Sequence, residues 1–182
     1  MGSCKGETKR MTSIGIDLSL TATGIIKLKD GKIAQRQLIK TKPTHNYLDE
    51  LKRLEYIRDT IDLTDVDIAV IEGMAFMARN TTALVQLSGL NYMTRERIYF
   101  ENIPFIIVAP TTLKKFATSK GNSPKELVLL EVYKRYHVSF TDNNLADGYV
   151  LARIGEALLD NNIKLTKHQQ EVIELLKVQL NN

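Results

Sequence analysis

The chain has 182 residues, a formal net charge of +4 and a single cysteine. That length suits one domain with a real core, and no apolar run approaches the roughly 20 residues of a membrane span. Lys5, Lys9 and Arg10 against Glu7 supply +2 of the charge, so the excess alone does not argue for a nucleic-acid partner.

Met1 to Arg10 is polar and has no signal-peptide core. Residues 1–11 are expected to be a flexible extension or an expression remnant. Cys4 lies in it, so the fold itself has no disulfide and no cysteine metal site, which suits a reducing cytoplasm. Thr12–Asp17 reads as a first strand, Thr23–Leu28 as a second and Ile33–Ile39 as a third. Lys29-Asp30-Gly31-Lys32 is a hairpin turn, with Asp-Gly supplying positive φ. Thr41 to Asn46 is a loop. Tyr47–Ile61 has apolar residues at Tyr47, Leu48, Leu51, Leu54, Ile57 and Ile61, the spacing of a helix. Asp67–Ile71 is a compact run that reads as a buried strand, parallel to the first and ending in Glu72-Gly73.

Thr81–Phe100 reads as a long helix capped by Asn80 or Thr81. Pro104–Val108 is a fifth strand and Thr111–Phe116 a short helix. Ser123-Pro124-Lys125-Glu126 predicts a helix start, with Ser123 as cap, Pro124 first and Glu126 capping in return. That helix runs to about Tyr136, as its pattern indicates. A final helix spans Asn143 to Leu159, and Leu165–Leu180 is an amphipathic helix on a tail. The order predicts an α/β fold: a five-stranded mixed sheet, three strands antiparallel and then parallel ones, flanked by helices. Residues 12–160 form the domain and 161–182 the helical tail.

Asp17 sits at the end of an apolar strand, where Ile14 and Ile16 face one side and Gly15 and Asp17 the other. A buried unpaired carboxylate is costly, so Asp17 is a metal ligand, a phosphate-loop acid or an edge acid in solvent. The first and fourth strands are expected neighbours, which would set Glu72 beside it. Asn144 and Asp147 are three residues apart and share a helical face. Together these residues offer hard oxygen ligands for Mg²⁺ or Mn²⁺ rather than zinc. Each has a plainer reading: Glu72 a solvated strand end, Asp147 an acid facing the helix dipole, Asn144 a cap. His45, His137 and His168 show no ligand spacing. The small hydroxyl residues after Asp17 also match a phosphate loop of actin- or sugar-kinase-like domains, but two such domains are needed to enclose ATP.

Gly15-Ile16-Asp17, Ile71-Glu72 with Phe76-Met77-Ala78-Arg79-Asn80 after it, and Ala146-Asp147-Gly148 resemble the RuvC-type Holliday-junction resolvases. These have the RNase H-like nuclease fold, and the resemblance runs from Ser13 to Asp160. It implies two divalent ions per active site, Mg²⁺ with Mn²⁺ able to substitute, held by Asp17, Glu72, Asn144 and Asp147. Asn144 departs from the family, where many members have Asp and some His. Its carbonyl oxygen can ligate but brings no charge. The spacing from Glu72 to Phe76 is one residue longer than in the bacterial form.

The family also carries two lysines near its active site, which match Lys114 and Lys125. Lys115 and Lys120 add charge beside them. Arg79 is expected at a phosphate and Phe76 against an exposed base. The implied activity is metal-dependent cleavage of four-way and other branched DNA, leaving 5′-phosphate and 3′-hydroxyl ends, by a homodimer that matches the two-fold junction. Leu84, Leu87, Leu90 and Met93 are either the dimer interface or ordinary core. A phage-type member in the cytoplasm of a bacterial or infected host cell, without a membrane partner, fits the small size. The alternatives are an RNase H-like nuclease on another substrate, such as an RNA–DNA hybrid, and a junction-binding protein that does not cut.

Overall fold

The computed structural model describes residues 11–74 and 81–180. β1 (Thr12–Asp17), β2 (Ala22–Lys29) and β3 (Lys32–Lys40) form an antiparallel meander. Asp30 and Gly31 make the second turn with positive φ, 50° and 76°, as an Asp-Gly hairpin requires. α1 (Tyr47–Thr60) crosses over, and β4 (Ile68–Glu72) returns parallel to β1. α2 (Thr81–Phe100) leads to β5 (Phe105–Val108), parallel to β4. α3 (Pro110–Thr118), α4 (Lys125–Tyr136), α5 (Asn143–Leu159) and α6 (Lys167–Leu180) follow. The sheet order is β3-β2-β1-β4-β5, the mixed sheet the sequence predicts.

Side-chain alternation splits the core into two layers. Ile14, Ile16, Ile25 and Ile71 meet Leu54 and Ile57 of α1 and Leu90 and Ile98 of α2. Ile26, Val70, Ile106 and Val108 meet the helices of the other face through Phe116, Val132, Leu151 and Ile173. Gly15 lies on that second face. A Cβ there would fall 2.0 Å from the Gly148 carbonyl oxygen, and one at Gly24 would fall 2.2 Å from that of Asn144. Bare backbone at both strands is what lets α5 lie directly on the sheet. Val172, Ile173 and Leu176 bring α6 into the same core. Near its end, the Gln179 amide accepts from the Ile107 N–H (3.2 Å) and donates to the Ile107 carbonyl (3.1 Å).

Two expectations need correction, and one alternative left open is settled. In α1, Leu54 and Ile57 are buried, but Tyr47, Leu48 and Leu51 are exposed. An inward place goes instead to Arg53, whose guanidinium bonds the Leu20 carbonyl and the Thr41 hydroxyl. Ser123 does not cap α4, because Pro124 takes that position without a side-chain bond. The Ser123 hydroxyl is engaged by the preceding turn, 2.7 Å from the Thr118 hydroxyl and donating to the Lys120 carbonyl at 2.9 Å. Glu126 falls in the first turn of α4, with no serine cap to answer. In α2, Leu90 is core, and Leu87 and Met93 pack against it; the side chains left outside are Val85, Tyr92, Tyr99 and Phe100.

Cys4, the extension before Met11 and the expected cap at Asn80 lie outside the described residues. Among those described, no helix is long and apolar enough to cross a membrane.

Candidate active site

β1 and β4 run side by side with Ile16 opposite Ile71, so Asp17 and Glu72 end the two strands as neighbours. Both point to the face of Gly15 and Val70, where α5 lies. Asp147 reaches the same place from the second turn of α5. Carboxylate oxygens of Asp17, Glu72 and Asp147 all lie within 4.8 Å of one another. Asp17 is only 7% exposed, which removes the reading of an edge acid in solvent. Glu72 and Asp147 are half-buried.

Asn144 is not the helix cap. Asp142 is, its carboxylate accepting from the Asn144 N–H at 2.9 Å. The Asn144 Nδ2 donates to the Ala22 carbonyl at 2.6 Å, so the atom left for a ligand is its amide oxygen.

The acids repel one another strongly. Burial holds the Asp17 carboxyl well above its ordinary value, helped by a hydrogen bond with Glu72 and by the charges of Glu72 and Asp147. Burial and then the charge of Glu72 push Asp147 up to about 6. Crowded carboxylates out of water favour the protonated form. Lys125 opposes this at both acids, and Lys114 at Asp147, so these two lysines stand beside the cluster. Lys115 turns to α6 and pairs with Glu171 at 2.9 Å. Lys120 is exposed on the turn between α3 and α4. Phe76 and Arg79 lie outside the described residues.

The three carboxylates form a donor set for a hard cation such as Mg²⁺ or Mn²⁺. The mutual repulsion of the acids is itself relieved by such a charge. His45 and His137 are exposed, His168 is half-buried, and no histidine belongs to the cluster.

Two positions escaped the sequence reading. Arg53 fastens the loop after Asp17, and the Thr41 N–H adds a bond to the Thr21 carbonyl at 3.1 Å. Its signal was its place four residues before Ile57, on the inward stripe. Asn91 is 1% exposed, on the stripe of Leu87, Thr94 and Ile98 in α2.

No family model matches the sequence, and no curated protein does. Solved structures do. Thermus thermophilus RuvC superposes with a TM-score of 0.64 at 19% identity, over 78% of this chain and 91% of that one. This chain has the RuvC fold. T. thermophilus RuvC in complex with a Holliday junction substrate matches the RuvC-like fold equally, with a TM-score of 0.64 at 17% identity, over 78% of this chain and 90% of the other. A fowlpox virus resolvase in complex with Holliday junction DNA gives 0.53 at 15% identity, over 82% of this chain and all of that one (100%). The RNase H-like architecture expected from the motifs is therefore the observed one.

Proposed function

We propose that the protein is a divalent-metal-dependent endonuclease that cuts branched DNA, above all four-way junctions. The observation that carries this is the meeting of Asp17, Glu72 and Asp147 within 4.8 Å. The RuvC fold supports it, since solved structures with that fold include complexes with Holliday junction DNA.

In this reading Asp17, Glu72, Asp147 and the Asn144 amide oxygen hold two Mg²⁺ ions, with Mn²⁺ able to replace them. Bound there, the ions supply an activated water and charge for the leaving oxygen of an in-line displacement, which yields 5′-phosphate and 3′-hydroxyl ends. Asp17, the most buried of the three acids, is the shared ligand. Lys114 and Lys125 neutralise the phosphodiester and the charge that grows on it. Lys120 meets the backbone further out, and Lys115 joins once its pair with Glu171 opens. Phe76 stacks on an exposed base and Arg79 holds a phosphate.

Two strands must be cut, so the working form is a homodimer. The exposed apolar side of α2, with Val85 and Tyr99 two heptads apart, supports a helix-to-helix contact. Residues 12–160 carry the activity, with 161–182 as the tail segment. A phage-type enzyme of a bacterial or infected host cytoplasm fits a sequence whose only cysteine is Cys4.

The test is cleavage of a labelled synthetic four-way junction, with and without Mg²⁺ or Mn²⁺. Paired nicks at symmetric positions are expected, dependent on metal and lost in Asp147→Asn. Binding without cleavage in either metal would leave a junction-binding protein. Cleavage of an RNA–DNA hybrid alone would transfer the activity to that substrate.

A further inference from the structure

The three acids of the cluster repel one another, yet they stand within 4.8 Å. The fold has to hold them there before any cation arrives. Glu72 is fixed by its place in the sheet, opposite Val108. Asp17 ends β1 and leads into the short turn to β2, residues 18–21. That turn is fastened at several points. The Ser19 N–H donates to the Thr23 hydroxyl at 3.1 Å, which donates back to the Ser19 carbonyl at 2.7 Å. The Asn144 amide of α5 donates to the Ala22 carbonyl at 2.6 Å. Between them, the Leu20 carbonyl accepts from the Thr41 hydroxyl and from the guanidinium of Arg53 in α1. The Arg53 Nε also donates to the Thr41 hydroxyl, at 2.9 Å.

Arg53 is buried, and both its hydrogen bonds are to these neutral oxygens. Glu50, whose charge acts on it, is hydrogen-bonded by Gln86 instead. A buried cation held by neutral groups is costly, and a well-packed apolar side chain beside Leu54 and Ile57 costs less. Stability alone therefore does not account for an arginine at this position.

We infer that Arg53 is a positioning residue for the acid cluster: through the Leu20 carbonyl and the Thr41 hydroxyl it fixes the β1–β2 turn, and with it the spacing of Asp17 and Asp147. The inference rests on the metal-binding reading above. The turn links the two acids. It leaves Asp17 at one end, and at the other Ala22 holds Asn144, three residues before Asp147 and almost one helical turn. Arginine suits the task because its planar guanidinium carries donors in a fixed fork, and here two of them reach oxygens of two separate segments. Groups that orient metal ligands from behind change metal affinity by about 10–100-fold when they are removed.

The experiment measures Mn²⁺ binding to the full chain by electron paramagnetic resonance, near neutral pH and without DNA. Binding that Asp147→Asn abolishes reports the cluster. Arg53→Met and Thr41→Val each remove one donor to Leu20. Arg97→Met is the matched comparison, because Arg97 also fastens backbone, at the Arg58 and Ile61 carbonyls by the far end of α1. Melting curves accompany each protein. Arg53→Met and Thr41→Val should each weaken Mn²⁺ binding by about tenfold or more. Acting on one carbonyl, they should together weaken it less than the product of the two single losses. Arg53→Lys should recover part of the loss. Arg97→Met should melt lower and bind Mn²⁺ as the wild type does.

Wild-type Mn²⁺ affinity in both Arg53→Met and Thr41→Val would overturn the inference and leave the metal site standing. So would a loss in Arg97→Met as large as in Arg53→Met, which would trace the effect to general loosening. If Arg53→Met does not fold, Thr41→Val decides alone. Wild-type binding that Asp147→Asn leaves untouched would remove the metal-binding reading itself, and the inference with it.

Discussion

At the scale of single residues, the chemistry turns on protons held by carboxylates that should have lost them. Asp147 is pushed up to about 6 from an ordinary 3.8. The folded chain therefore keeps this proton over a range where the unfolded chain has released it. Where the folded state binds more protons, stability falls as pH rises. The contribution of Asp147 is thus fully present below 3.8 and lost by about 6, and Asp17 is raised in the same direction. In the proposed reading a divalent ion takes the place of the proton above that range. Melting of the metal-free protein should accordingly show a smaller Mg²⁺-induced rise at about pH 5 than at about pH 7.5. Asp147→Asn should flatten both the pH dependence and the response to Mg²⁺. The same Mg²⁺ response at both pH values, and in the variant, would mean that the ion binds elsewhere. Asp17 was legible because it interrupts an apolar strand, and Glu72 and Asp147 because their places at a strand end and in the last helix match the resemblance. Asn91 and Arg53 were not, since a polar residue on a helix is first read as solvated, and only the packed neighbours show otherwise.

At the scale of elements, α5 decides whether the acids meet. Its contact with β1 and β2 is made through Gly15 and Gly24, with no side chain between them. Gly15→Ala places a methyl group 2.0 Å from the Gly148 carbonyl oxygen, and backbone cannot yield as a flexible side chain would. A destabilisation of about 1–3 kcal/mol or more is expected, as for overfilled cores. Urea unfolding measures it. Because Asp147 rides on α5, Mg²⁺ affinity should fall in the folded variant too, and unchanged affinity would argue that the helix does not set the site. The meander and the helices were readable because their signals are local: Asp30-Gly31 at a turn, apolar spacing in Asn143–Leu159. What failed were features decided by three-dimensional contacts rather than by the sequence pattern. Ser123 looks like a cap until Thr118 and the Lys120 carbonyl engage it. Tyr47 and Leu51 match an apolar stripe, but both are exposed. The glycines were visible as letters, but nothing local tells which helix will press on them.

At the scale of the whole molecule, the proposed activity needs assembly to turn one acid cluster into two symmetric nicks. The outward apolar residues of α2 give the expected contact, so Val85→Asp with Tyr99→Asp should convert a dimer to a monomer in sedimentation. The monomer should nick one strand of a junction where the wild type cuts a pair. A double variant that remains dimeric would move the contact away from this helix. The sheet margins, by contrast, are poorly suited to joining copies, and the end of α6 shows why. A primary amide carries the same donor and acceptor as a peptide unit, and Gln179 sets both against the Ile107 backbone. It acts as a counterfeit strand residue on β5. At the opposite margin, β3 displays the exposed cations Lys32, Arg36 and Lys40. Unpaired strand margins are templates for fibril growth and domain swapping. In this chain one template is already copied by its own last helix and the other is electrically guarded, so its sheets are hindered from seeding one another.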